Sequence, residues 1–233
     1  MVKKEISIII PAYNEEKNIE STIGEIRREL KGKNFNYEIV VVDDGSTDNT
    51  CDKVKTIKDP NIRLIRFVKN KGKGEALKAG LLAASEKLRL YTDADNSTSI
   101  THLFDFLPHI QGYDIIIGSR GLPKSKIDKR QPFYKEILGK SGNLLIRKIL
   151  KLSYRDTQCG FKLFTKEAVE KVIPEARCSG WGFDFEILKI AEIKKIRVKE
   201  LPITWKNSPD SAVGFFDYFK TLKTLLKIKK RYD

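Results

Sequence analysis

The chain has 233 residues, of which 40% are hydrophobic and 33% charged, and it carries a formal net charge of +14. This suits one folded domain, or one domain with an appended segment, and excludes a disordered tail. The charge calls for an anionic partner, whether nucleic acid, a phosphorylated substrate or an acidic membrane surface. Three widely spaced cysteines, Cys51, Cys159 and Cys178, indicate neither a disulfide framework nor a zinc site and fit a reducing compartment.

Glu5 to Ile10 is a short apolar run stopped by Pro11, and reads as a buried strand. Pro11-Ala-Tyr-Asn-Glu15 follows as a loop. A helix is predicted from Glu15 to Leu30, with Ile19, Ile23, Ile26 and Leu30 on one face. Tyr37 to Val42 is a second buried strand, ending in Asp43-Asp44-Gly45-Ser46-Thr47-Asp48 and another helix. Asn61 to Val68 is a third strand, then Lys69 to Gly74 and a helix through Ala84. Lys87 to Thr92 is the fourth strand, Ile100 to Ile110 a helix, and Tyr113 to Gly118 the fifth strand. Nearly all-apolar strands alternating with helices predict an α/β fold with a parallel sheet covered on both faces.

The texture changes after Arg120. Residues 121–151 are rich in Lys and Arg, with a helical period in Ile137, Leu138, Leu144, Leu145, Ile149 and Leu152. Arg155 to Phe164 reads as a turn and short strand, Thr165 as a simple helix cap, and Ser179 to Glu186 as the opening of a helix to about Lys194. Ile196 to Leu201 is a strand ended by Pro202, and 214–232 is an amphipathic helix. No segment is long and apolar enough to cross a bilayer, and the N-terminus does not read as a signal peptide. The expected location is therefore cytoplasmic.

In a parallel sheet, ligands bind outside the carboxyl ends of the strands. Polar motifs gather there: Tyr13-Asn14-Glu15, Asp43-Asp44, Lys69 to Lys73, Asp93-Ala94-Asp95 and Ser119-Arg120. Asp93 and Asp95 sit two apart at a strand end and point to one side. Like charges this close need a cation. Oxygen-only ligands indicate Mg²⁺ or Mn²⁺, which can hold a diphosphate. The alternative is a polar turn with Asn96, Ser97 and Thr98 capping the next helix.

Taken in order, Pro11-Ala-Tyr-Asn-Glu15, Val42-Asp-Asp-Gly-Ser-Thr-Asp48, Lys69-Asn-Lys-Gly-Lys73-Gly and Asp93-Ala-Asp95 resemble the nucleotide-sugar half of family 2 glycosyltransferases with the GT-A fold. Arg155 to Phe164 and Trp181 to Glu186 resemble the dolichyl-phosphate β-glucosyltransferase branch, with the dolichyl-phosphate mannose synthases as near relatives. The resemblance implies a Rossmann-like, mostly parallel sheet in one domain. Residues 1–120 would bind the nucleotide sugar, 121–213 would form the acceptor side, and 214–233 a terminal amphipathic helix.

It also implies roles. Pro11, Tyr13 and Glu15 would line the base pocket, Val42 and Asp44 would contact base and ribose, and Lys73 would lie near the diphosphate. Asp93, Ala94 and Asp95 would position the donor, the two aspartates holding the metal. Arg120 would bind the acceptor phosphate, with Lys135 as a second cation. Gln158, Trp181, Asp184 and Lys206 would meet donor or acceptor sugar. Relatives often carry Gly-Ser-Lys where this chain reads Asp210-Ser211-Ala212, and Lys206 is the expected substitute for that lysine.

The implied reaction is inverting transfer of a hexose, glucose first, from a UDP-sugar to dolichyl or polyprenyl phosphate on the cytoplasmic face of a membrane. An acceptor phosphate needs no general base, because its second pKa is about 6. Three alternatives stand beside this: the same chemistry with GDP-mannose; a sugar-hydroxyl acceptor with Asp184 as base; and a non-catalytic nucleic-acid-binding protein, for which no aromatic-basic motif is seen. Asp184 and Glu186 could equally stabilise a helix N-terminus. The tail helix could pack on the domain or lie in an anionic membrane interface, and the second is expected.

Overall fold

The structure, a computed structural model, describes residues 4–129, 133–207 and 215–232, and within these the side chains of all but 129, 133–135 and 215–219. Lys135 and Ala212 thus lie outside the described side chains.

The first half runs β1 (Lys4–Ala12), α1 (Ile19–Leu30), β2 (Phe35–Asp43), α2 (Thr50–Thr56), β3 (Ile62–Arg66), α3 (Lys73–Ala83), β4 (Leu88–Thr92), α4 (His102–Phe106) and β5 (Ile115–Ser119). The second runs β6 (Lys126–Lys129), α5 (Phe133–Leu150), β7 (Phe161–Thr165), α6 (Lys166–Val172), α7 (Phe183–Ile193), β8 (Val198–Pro202), β9 (Thr204–Lys206) and α8 (Phe215–Tyr232).

Seven strands form one sheet in the order β3-β2-β1-β4-β7-β5-β8, and β6 pairs with β9 in a small second sheet. All neighbours in the large sheet are parallel except β7, which runs antiparallel to both β4 and β5. Alternation splits the core in two. Ile9, Val40, Val42 and Tyr91 pack with residues of α3, α6, α7 and α8 on one face. Ile8, Ile10, Val41 and Leu90 pack with residues of α1 and α4 on the other. Helices cover both faces, as expected.

Several boundaries differ from the sequence reading. Pro11 does not stop β1, which continues to Ala12 beside β2. Pairing with β4 ends at Ile9–Tyr91, so the missing proline N–H costs nothing on that side. α1 begins at Ile19 because Glu15 is held back: its N–H donates to Thr50 Oγ1 at 2.8 Å, and its carboxylate accepts from Asn18 Nδ2 at 2.8 Å. Pro108 confines the fourth helix to His102–Phe106 followed by a 3₁₀ turn. Thr165 is the simple cap expected, accepting from the Ala168 N–H at 3.1 Å.

β6 and β9 were not foreseen, nor was the direction of β7, the short strand expected within Arg155 to Phe164. β6 and β9 build a platform beside the carboxyl edge, with an isolated bridge from Trp205 to Thr98. The antiparallel β7 starts at that edge, opposite Thr92, which brings Gln158-Cys159-Gly160 against the acidic pair.

α8 packs on the domain: Leu225 and Ile228 are buried in the core. The membrane expectation therefore does not extend to its whole apolar face. Leu222 and Leu226 remain exposed, as do Ile137, Leu144 and Leu145 of α5. Among the described residues, no helix is long and apolar enough to cross a membrane.

Candidate active site

The carboxyl edge opens into one cavity of about 1000 Å³. One end is formed by Pro11, Tyr13, Glu15 and Asp44. The middle holds Lys73, Asp93, Ala94, Asp95, Arg120, Gln158 and Trp181. Leu144 and Leu145 of α5 and Leu222 and Leu225 of α8 add an apolar wall.

The loops at the first end are sewn together. Asn14 adopts a left-handed φ of 56°, its N–H donates to Ser46 Oγ at 3.0 Å, and its side-chain oxygen accepts from Thr47 N–H at 2.9 Å. Glu16 ties the same loops, its carboxylate accepting from the backbone N–H and side-chain Nδ2 of Asn49. Asp44 lines the cavity with both oxygens occupied, one by Lys71 N–H at 2.7 Å and one by Gly72 N–H at 2.8 Å. It thus shapes the loop that delivers Lys73.

Lys73 Nζ lies 2.6 Å from Asp93 Oδ1. Loss of hydration disfavours the Lys73 charge, but Asp93, Asp184 and Asp95 outweigh it and raise its pKa. Enclosure raises the Asp93 carboxyl, against the pull of Lys73 and with the push of Asp95. Glu15 is raised as well, by burial first and then by repulsion from Asp95 and Asp93. Asp95 is pre-oriented, accepting from Ser97 N–H at 2.9 Å and Ser97 Oγ at 2.8 Å. This end of the cavity holds more negative charge than Lys73 neutralises.

That excess, on hard oxygen donors, suits a divalent cation. Among the described residues, no group of three or more His, Cys, Asp or Glu side chains forms a complete metal cage. Such an ion would need further oxygens from water or from a bound diphosphate. Gly160 makes the arrangement possible: a Cβ there would sit 1.9 Å from Asp93 Oδ2, so only glycine allows the approach.

Arg120 follows the last parallel strand before the basic region. Its Nε and Nη2 donate to Asp156 at 2.7 and 2.9 Å, and its guanidinium lies 5.5 Å from the Trp205 ring. Burial would raise the Asp156 carboxyl, but Arg120 outweighs it and holds the group at about 2. The Arg120 pKa is raised in turn. Sequence reasoning missed Asp156. It also missed Arg147, which lines the cavity and whose Nε is buried with no hydrogen-bond partner among the described residues.

Three expected site residues stand elsewhere. Val42 is fully buried under α3, where its Cγ2 would lie 2.9 Å from a Cβ at Gly80, and it does not line the cavity. Lys206 is exposed on β9 and does not line it either. Asp184 is buried, ion-paired to Lys162 and hydrogen-bonded to the Tyr91 hydroxyl. Burial opposes its ionisation, and Lys162 and Lys73 outweigh that and lower its pKa. Its Oδ1 is thus taken by Lys162 and Tyr91, and the residue does not line the cavity.

Lys162 itself was missed. It is fully buried, and its Nζ also donates to the Cys159 carbonyl. A lysine at the second position of the apolar strand Phe161-Lys-Leu-Phe164 was the available signal, since a buried ammonium needs a carboxylate. Trp181 lines the cavity, half-exposed, with Lys73 Nζ 5.0 Å from its ring. Cys159 is a small buried residue, its thiol pushed up to about 12 by burial.

The model of the family described as Glycosyl transferase family 2 matches residues 7–173. The chain belongs to glycosyl transferase family 2. This glycosyltransferase is 33% identical to the dolichyl-phosphate beta-glucosyltransferase of Dictyostelium discoideum, over 97% of its own length and 74% of the relative. It is 34% identical to the human protein of that name, over 98% of itself and 76% of the relative. Among solved structures it resembles the glucosyl-3-phosphoglycerate synthase of Mycobacterium tuberculosis with Mn²⁺, UDP and glucosyl-3-phosphoglycerate. The TM-score is 0.70 at 19% identity, over 97% of this chain and 80% of that one. The fold of this glycosyltransferase is thus the GT-A fold expected.

Proposed function

We propose that the chain transfers glucose, with inversion, from UDP-glucose to dolichyl or another polyprenyl phosphate at an anionic membrane surface, on its cytoplasmic face. The carrying observation is that one cavity takes in the acidic pair and Lys73, Arg120, and a wall of leucines on α5 and α8. A nucleotide sugar suits the acidic pair and Lys73, and a lipid phosphate suits Arg120 and the leucines. The names of the relatives favour glucose and dolichyl phosphate.

In this reading residues 1–120 bind the donor, and Asp93 and Asp95 hold Mg²⁺ or Mn²⁺. The ion would neutralise charge on the departing diphosphate. Lys73 meets the same phosphates, Tyr13 and Glu15 face the base, and Trp181 and Gln158 flank the sugar. Residues 121–213 and the tail helix hold the acceptor. Asp156 occupies two nitrogens of Arg120 and leaves Nη1 for a phosphate oxygen, with Arg147 adding positive charge.

The pairing of Asp184 with Lys162, away from the cavity lining, favours a phosphate acceptor over a sugar hydroxyl. A phosphate near neutral pH is already a nucleophile. The test compares dolichyl phosphate with dolichol as acceptor for UDP-glucose, in the wild type and in Arg120→Ala. Product from the phosphate alone, greatly reduced in Arg120→Ala, supports the reading. Product from the free alcohol would overturn it.

A further inference from the structure

The last turn of α8 reaches the donor end of the site through one carboxylate. Glu186 is fully buried. Its Oε2 accepts from the backbone N–H groups of Arg177 at 2.9 Å and Cys178 at 2.6 Å. Its Oε1 receives the Arg231 guanidinium and, at 3.2 Å, the Tyr232 hydroxyl. A buried carboxylate is tolerated only when its oxygens are met in this way. Two of the four partners belong to the segment before α7, and two to the end of the chain.

That segment forms a wall of the site. The next residue, Ser179, accepts at its carbonyl from Gly74 N–H at 2.7 Å and Glu75 N–H at 3.3 Å. These belong to the first turn of α3, the turn that carries Lys73. The approach is so close that a Cβ at Gly74 would lie 2.2 Å from the Cys178 carbonyl oxygen. Two residues on, Trp181 sets its ring beside Lys73 Nζ. α8 touches the same segment again, since a Cβ at Gly182 would lie 2.6 Å from Thr224 Cγ2.

We propose that Arg231 and Glu186 are positioning residues for the donor. The end of α8 fixes Glu186, Glu186 fixes the Arg177–Cys178 backbone, and that backbone fixes the wall of Ser179, Trp181 and Lys73 against which the diphosphate and sugar bind. The same helix also lends Leu222 and Leu225 to the cavity wall. This rests on the donor lying at Lys73, and nucleotide binding tests it without any lipid product.

The experiment uses the full chain with Arg231→Ala, Arg231→Lys and Tyr232→Phe. UDP affinity, with GDP in parallel, is measured by calorimetry with Mg²⁺, and steady-state constants are measured for both substrates. The expected result for Arg231→Ala is a rise in the nucleotide dissociation constant and donor KM on the order of tenfold, the scale of one charged hydrogen bond. The acceptor KM should stay within about twofold, and Arg231→Lys should recover most of the loss because its ammonium can still meet Glu186. Unchanged nucleotide affinity in folded Arg231→Ala, or an equal loss for both substrates, would overturn the proposal. Should Arg231→Ala unfold, Tyr232→Phe decides. A smaller rise in the nucleotide constant supports the proposal, and no change in a folded protein overturns it. Nucleotide binding without lipid product would count against the acceptor assignment alone.

Discussion

Lys73 Nζ lies 2.6 Å from Asp93 Oδ1, and the Trp181 ring stands 5.0 Å from the same ammonium. The lysine is held between the acidic pair and the aromatic wall, the place that the proposed function gives to the diphosphate. Removing a preorganised cation from such a place costs about 10²–10³ in rate. Lys73→Ala should lower kcat/KM for the sugar nucleotide by that order with the fold intact. A change below about threefold, read from steady-state kinetics and circular dichroism, would remove Lys73 from the site.

Gly160 is the close neighbour of Asp93. Gly160→Ala must displace the carboxylate, and a shift of about 1 Å in a positioned group can cost 10²-fold. Activity titrated with Mg²⁺ or Mn²⁺ should fall by about that factor, with thermal unfolding little changed. Full activity in Gly160→Ala would show that Asp93 need not stay where it is.

The Lys162–Asp184 pair makes the opposite demand. Removing one partner leaves a charge stranded in the core, at a cost of about 3–5 kcal/mol. Lys162→Met should lose that much stability in urea, and the double variant Lys162→Met/Asp184→Leu should recover part of it. If the single variant lost less than about 1 kcal/mol, the pair would not be a structural device.

Asp156 adds a pH dependence. Its carboxyl is held at about 2 in the folded chain, below its ordinary 3.8. A depressed carboxyl stabilises the fold above its unfolded pKa, and that contribution fades as pH falls through the folded value. Asp156 should therefore supply about 2 kcal/mol above roughly pH 4, lost between there and pH 2. Denaturant midpoints across that range, for wild type and Asp156→Asn, should diverge at neutral pH and converge at pH 2. Parallel profiles would contradict the pairing with Arg120.

The parallel sheet was readable because its apolar strands stop abruptly at polar loops, and that same contrast located Tyr13, Glu15, Asp93, Asp95 and Arg120 in one cavity. β6 was not readable. Lys126–Lys129 has no apolar alternation, and its partner Thr204–Lys206 lies far along the chain. The direction of β7 depends on tertiary pairing, which periodicity does not encode.

Asp184 and Glu186 resembled ordinary first-turn carboxylates, because their partners, Lys162 and Arg231, come from distant elements. Val42 is an expected site residue whose buried side chain does not line the cavity. Strand alternation puts it with Val40 on the core face under α3.

The most direct measurement is transfer of radiolabel into organic-extractable polyprenyl phosphate from UDP-glucose, UDP-N-acetylglucosamine, UDP-galactose and GDP-mannose, with Mg²⁺ or Mn²⁺ and an Asp95→Ala control. The expected result is label in the lipid phase from UDP-glucose, abolished by chelator and by Asp95→Ala. Nucleotide binding with no lipid label from any of the four donors would contradict the account, and label from GDP-mannose alone would contradict its choice of donor.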